Sequence, residues 1–131
     1  MLRALLIRRP YINFILDGKK TWEIRGSRTA IRGTIALVQS GSGTVIGLCE
    51  LVDCIGPLTE NSYRQNASKA GIRPKEAKLG RYRQTYAWVM ERPRCLNRPV
   101  PYCHPSGAVI WVNLDANVQR KIMKEISHGT S

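Results

Sequence analysis

At 131 residues the chain has room for one domain with a buried core and not for two of ordinary size. Its 43% hydrophobic and 23% charged residues, without a low-complexity tract, exclude a disordered polymer. Lys and Arg number 21 against 9 Asp and Glu, and the resulting charge of +12 favours polyanions, nucleic acid before an acidic membrane surface.

In chain order, Leu2 to Ile7 is a short apolar run bounded by Arg8, Arg9 and Pro10, which predicts a buried strand. The run is broken by Arg3, too short for a signal sequence and without a small-residue cleavage site, and no segment approaches the length of a membrane span. Pro10 suits the first position of a helix. Tyr11, Phe14 and Ile15 at i, i+3 and i+4 give that helix an apolar face, and Gly18 supplies the residue able to take positive φ beyond its end. Thr21 to Gly26 alternates, so a strand there sets Trp22 and Ile24 on one face and Thr21, Glu23 and Arg25 on the other.

Gly33 to Gln39 and Thr44 to Ile55 read as two strands of a hairpin around the GSG turn at 41–43. Residues 59–79 lose the alternation and predict short helices or a long excursion. Gln84 to Glu91 returns as a strand, after which Pro93, Pro99 and Pro101 mark an irregular stretch. Ala108 to Val112 is a last apolar strand. Val118, Ile122 and Ile126 at i, i+4 and i+8 predict a C-terminal amphipathic helix over Asp115 to Ile126. Short strands with separated helices imply a small α+β domain, mostly antiparallel, arranged as a barrel with helices outside; residues 1–114 form its body and 115–131 its C-terminal helix and tail.

Two basic runs stand out. One holds Arg64, Lys69, Arg73, Lys75, Lys78, Arg81 and Arg83 with Glu76 as the only acid, and the other holds Arg92, Arg94 and Arg98. Both read as surface stretches able to meet phosphates. The four cysteines, Cys49, Cys54, Cys95 and Cys103, have no CxxC pairing, so free thiols in a reducing cytoplasm are expected and no structural metal. His104 and Ser106 precede the last strand in a loop, where a histidine is either an acid–base group or a plain loop residue. His128 lies in a polar tail.

The segment DGKKTWEIRG gathers charge at a helix end and along one strand face. Lys19 and Lys20 follow the helix, and Glu23 and Arg25 share a strand face, so a lysine at a rim and an arginine oriented by a carboxylate suit a phosphate or a base edge. The same set is competent for hydrolysis if Lys20 has a depressed pKa and Glu23 shuttles protons. A plain surface strand with an ion pair is the bland alternative.

The order P-(x)7-G-x-K-x-x-E-x-R, carried by Pro10, Gly18, Lys20, Glu23 and Arg25, resembles the signature of the ASCH family, and IALVQS, VIGLCELVD, YAWVME and GAVIWV resemble its successive strands. The resemblance implies a PUA-like β-barrel that binds RNA or a nucleotide in a cleft lined by Lys20, Glu23 and Arg25. Tyr11 flanks this cleft as a stacking surface, Lys19 and Arg92 add positive charge, and Trp22 on the opposite face packs in the core. It also implies two catalytic alternatives, with Lys20 and Glu23 as the catalytic pair. One is an amidohydrolase acting on modified nucleosides such as N4-acetylcytidine; Glu23 stands where those members have Thr, and Glu60, Glu76 and Glu91 are the candidates for their distal Glu. The other is a ribonuclease, the only reading in which a divalent metal enters; otherwise no cofactor is expected. A protein-interaction module that meets an acidic partner is the third reading.

Overall fold

A computed structural model describes residues 2–126. The strands are β1 (Leu2–Ile7), β2 (Trp22–Arg25), β3 (Gly33–Gln39), β4 (Thr44–Ile55), β5 (Tyr86–Pro101) and β6 (Trp111–Leu114). The helices are α1 (Tyr11–Leu16), α2 (Glu60–Gln65) and α3 (Ala116–Glu125), with 3₁₀ turns at Ala67–Ala70 and Pro74–Glu76. The six strands form one sheet in the order β2-β5-β4-β3-β1-β6, antiparallel except for β1 against β3. The closed barrel expected from sequence is not formed: among the described residues β2 and β6 do not pair, so the sheet is open.

The sheet nevertheless curls strongly. Trp88 on β5 stacks on Trp111 of β6 with ring centroids 5.8 Å apart and planes at 13°, although three strands separate β5 from β6. Strand alternation sends Leu5, Ile7, Ile35, Leu37, Leu51, Trp88 and Met90 into the concave side, where Ile12 and Ile15 of α1 cap them. The helix therefore buries Ile12 and Ile15, while Tyr11 and Phe14 sit at its edge. The opposite alternation gives Ala4, Leu6, Ala36, Val38, Val112 and Leu114 to the convex side, covered by Val118, Ile122 and Ile126. Asp115 caps α3 by accepting the Val118 N–H at 2.8 Å. A third cluster sets Trp22 and Ala87 against Leu58, Tyr63, Ala67, Ala70 and Ala77, so the excursion after β4 folds back as a flap over β2.

Two sequence expectations need correction. The stretch after Glu91 continues as strand through Pro101, with register shifts against β4, and its prolines are tolerated because β2 pairs with β5 only at residues 86–89, leaving one edge of the later part without a neighbouring strand apart from the Leu96–Ile126 bridge. Arg92 at φ 50 marks the irregularity there. The last strand begins at Trp111 and not at Ala108, because Ala108–Ile110 complete a loop whose Val109 is 77% exposed.

Gly47 lies where α1 crosses the sheet, and a Cβ at this position would overlap the Leu16 methyl and the Arg94 carbonyl. Gly47→Ala is expected to cost about 1–3 kcal/mol by overpacking, read as a lower urea midpoint at unchanged m-value. An unchanged midpoint would show that α1 packs elsewhere.

Candidate functional site

Gly18 at φ +83 ends α1 and turns the chain into β2. That turn carries Lys20 under the flap, where the residue is only 4% exposed. Its ammonium donates to the Trp22 carbonyl and, at 2.9 Å, to the Ala70 carbonyl, and stands 3.6 Å from Glu23 Oε1. Two carbonyls thus receive hydrogen bonds from the ammonium, and the carboxylate faces it as an ion pair. The Tyr11 ring lies 5.5 Å away, a cation–π distance. Lys20 is therefore buried, and not at a rim.

On the concave face of β2, Glu23 accepts from Arg25 Nε at 2.9 Å. Arg25 Nη2 donates to the Leu6 carbonyl on β1 at 2.8 Å, and its guanidinium lies 5.5 Å from the Trp88 ring centroid. Because β2 and β1 lie near opposite ends of the open sheet, Arg25 bridges the seam across which a barrel would have closed. Nη1 has no partner among the described residues. Burial pulls the Lys20 pKa below 10.5, Glu23 pushes it back up by Coulomb attraction and a hydrogen bond, and Arg25 lowers it further; burial is the largest effect.

The seam opens into a cleft of about 610 Å³ lined by Lys20, Glu23, Ile24 and Arg25, by Leu6, Ile7 and Arg8 of β1 and its end, by Ser40 and Val109, and by the flap residues Tyr63, Ile72, Glu76, Lys78, Arg81 and Tyr82, with Tyr11 and Thr85 completing the wall. Of the residues singled out in the sequence, Tyr11, Lys20, Glu23 and Arg25 come together here. Lys19 does not: it is exposed beside Asp17 at 3.9 Å. Arg92 pairs with Glu91 at 3.3 Å and borders a separate hollow of about 340 Å³ behind Lys20. Trp22 packs in the flap cluster, as its face required.

Among the three candidate distal acids, Glu76 lines the cleft, where it accepts the Arg73 N–H at 2.9 Å and Arg73 Nε at 3.2 Å. These bonds hold its carboxyl below the usual 4.5. Glu60 pairs with Arg64 at 2.8 Å and Glu91 with Arg92. His104 is engaged in its loop, with Nδ1 2.8 Å from the Tyr102 hydroxyl and Nε2 2.8 Å from the Ala108 carbonyl, and it does not line the cleft. His128 lies outside the described residues. Among the described residues no three His, Cys, Asp or Glu side chains are placed to hold a metal ion, and no helix is long and apolar enough to cross a membrane.

Sequence reasoning missed Arg8, Tyr63, Tyr82 and Thr85 as cleft residues, and it assigned Lys78 and Arg81 to a basic run without a place. Arg8, Lys78 and Arg81 have no acidic partner among the described residues, unlike Arg64, Arg73, Arg92 and Arg98. Their convergence depends on the flap folding over β2. The signal was the unbalanced charge of residues 64–83.

The ASCH domain family model matches residues 5–99. Crystal structures of ASCH from Zymomonas mobilis are similar: the protein itself at TM-score 0.68 and 17% identity, covering 95% of each chain; a tyrosine-to-phenylalanine mutant at 0.69 and 16%, covering 95% of this chain and 98% of that one; and a serine-to-alanine mutant at 0.68 and 17%, covering 95% and 96%. At such identities the likeness carries the fold alone. No curated protein matches the chain in sequence.

The Lys20 arrangement has a pH signature. With a folded pKa below 10.5, the unfolded chain binds more protons than the native one between the folded value and 10.5, so stability gains with rising pH in that window. Lys20→Met leaves two carbonyls unpaired and is expected to cost about 3 kcal/mol at neutral pH. Urea titrations should show the gap between wild type and variant widening as pH approaches 10.5. A gap independent of pH would contradict the assigned shift.

Proposed function

Because the chain belongs to the ASCH domain family, we propose that the seam cleft binds RNA through a nucleotide, with its phosphate at the rim and its base among the tyrosines. The observation that carries this reading is the convergence of three unpaired cations, Arg8, Lys78 and Arg81, on a cleft walled by Tyr11, Tyr63 and Tyr82. Phosphate contacts by Lys and Arg supply salt-dependent affinity, and aromatic rings offer bases about 1–3 kcal/mol of stacking each. Lys20, Glu23 and Arg25 hold one another and shape the floor, leaving Arg25 Nη1 and the remaining lone pairs of Glu23 for the ligand.

A hydrolytic role for the same cleft is favoured by one observation, the lowered pKa of Lys20 beside a carboxylate. In that reading a deprotonated Lys20 takes the proton of an attacking water or hydroxyl, and Glu23 passes it on. Turnover of labelled RNA or N4-acetylcytidine that Lys20→Met abolishes would establish it. Intact substrates at neutral and alkaline pH, with and without divalent metal, would leave binding alone.

The binding reading is tested by fluorescence anisotropy of a labelled single-stranded RNA across a salt series. Affinity should fall steeply with salt, and Lys78→Ala and Arg81→Ala should each weaken it and reduce the log–log slope by about one. Lys121→Ala on α3 should change neither the cleft nor its affinity for a short strand. Binding that ignores salt, or that survives both cleft variants, would exclude this assignment.

A further inference from the structure

The free edge of β2 offers the cleft more than side chains. The Met90 N–H bonds to the Thr21 carbonyl at 2.7 Å, and from there the ladder runs Trp22↔Val89, Glu23↔Trp88, Ile24↔Ala87 and Arg25↔Tyr86. Antiparallel pairs alternate between those that exchange hydrogen bonds and those that do not. Glu23 and Arg25 therefore belong to the bonded set, Thr21 gives β5 its carbonyl alone, and the N–H and C=O groups of Trp22 and Ile24 point away from β5.

The first part of this edge is covered. Thr21 N–H donates to the Lys69 carbonyl at 2.8 Å, and Lys20 Nζ joins the Trp22 and Ala70 carbonyls. Ile24 is the next residue facing that way, and no such cover reaches it among the described residues. It lines the cleft, and in an extended strand its N–H and C=O point the same way. A fixed donor beside a fixed acceptor complements the Watson–Crick edge of a nucleobase, where a donor and an acceptor also adjoin.

Two further residues with hydroxyl groups line the same cleft. Tyr63 and Thr85 are 8% and 5% exposed, line the cleft, and have no hydrogen-bonding partner for their side chains among the described residues. No side-chain oxygen or nitrogen sealed from solvent lacks a partner there, so neither hydroxyl is sealed from solvent. Polar groups buried to this degree are ordinarily paired. Burial raises the Tyr63 pKa above 10.0, with Tyr82, Tyr11 and Glu23 adding to the effect and Arg81 opposing it.

We infer that the cleft takes an unpaired nucleobase by its Watson–Crick edge, read by the Ile24 main chain and the Tyr63 and Thr85 hydroxyls, and that it excludes bases paired in a duplex. The inference rests on the nucleotide-binding reading of the cleft. Tyr63 and Thr85 are thereby specificity-determining residues that lie outside the Lys-Glu-Arg motif.

The test compares three labelled probes at one low salt concentration: a single-stranded RNA, the same strand annealed to its complement, and an abasic phosphodiester strand of equal length. The single strand should bind about ten-fold or more tightly than either other probe. Tyr63→Phe and Thr85→Val should each weaken the single strand about three- to ten-fold, the loss of one hydrogen bond, and leave the abasic strand unaffected. Both substitutions conserve shape, and should Thr85→Val fail to fold, Tyr63→Phe decides alone. Equal affinity for all three probes, or full affinity in both variants, overturns the base-reading inference while phosphate binding stands. Failure of every probe to bind overturns the nucleotide-binding reading itself.

Discussion

The Lys20 ammonium is the fastening on which the cleft depends. It takes the place of a ladder bond at the edge of β2, tying the Trp22 carbonyl to Ala70 on the flap and facing Glu23. Burying a cation is expensive, and the depressed pKa shows burial outweighing the attraction of the carboxylate. The return is positional. The flap is held down over the first half of β2 while the edge at Ile24 stays open. Glu23, fixed between Lys20 and Arg25, directs Arg25 across the seam to Leu6. One buried charge thus ties the flap to the first half of the β2 edge.

This arrangement divides the positive charge into two kinds. Lys20 and Arg25 are consumed largely by oxygens of the protein itself, so the motif builds the floor and leaves little to attract an anion. The cationic charge without an acidic partner among the described residues lies on Arg8, Lys78 and Arg81, at the end of β1 and on the flap. The Arg92 to Arg98 run lies on the far part of β5, where Arg92 and Arg98 face Glu91 and Glu125. Charge that looks equivalent along the chain is therefore not equivalent in space.

Much of this was legible beforehand because it is local. Alternation in TWEIR separated Trp22 and Ile24 from Glu23 and Arg25, Gly18 marked the end of α1, and the spacing of Val118, Ile122 and Ile126 gave α3 its buried face. What escaped was set by tertiary neighbours. Pro93, Pro99 and Pro101 argue against a strand unless one edge is known to be unpaired, and pairing is not local. The open seam depends on strand order, the burial of Lys20 on the flap, and the gathering of Arg8 with Lys78 and Arg81 on about seventy residues of intervening chain closing into one surface. Lys19 was expected to add charge to the cleft beside Lys20, yet one residue of offset leaves it in solvent.

The proposed site of ligand entry is the seam and not the other basic run. It is tested most directly by titrating a short single-stranded RNA into isotopically labelled protein and following backbone amide shifts. The largest changes are expected on Ile24, Arg25, Arg8, Tyr63, Arg81 and Tyr82, with Arg92, Arg94 and Arg98 little affected. Changes concentrated on Arg92 to Arg98, with Ile24 unmoved, would contradict it.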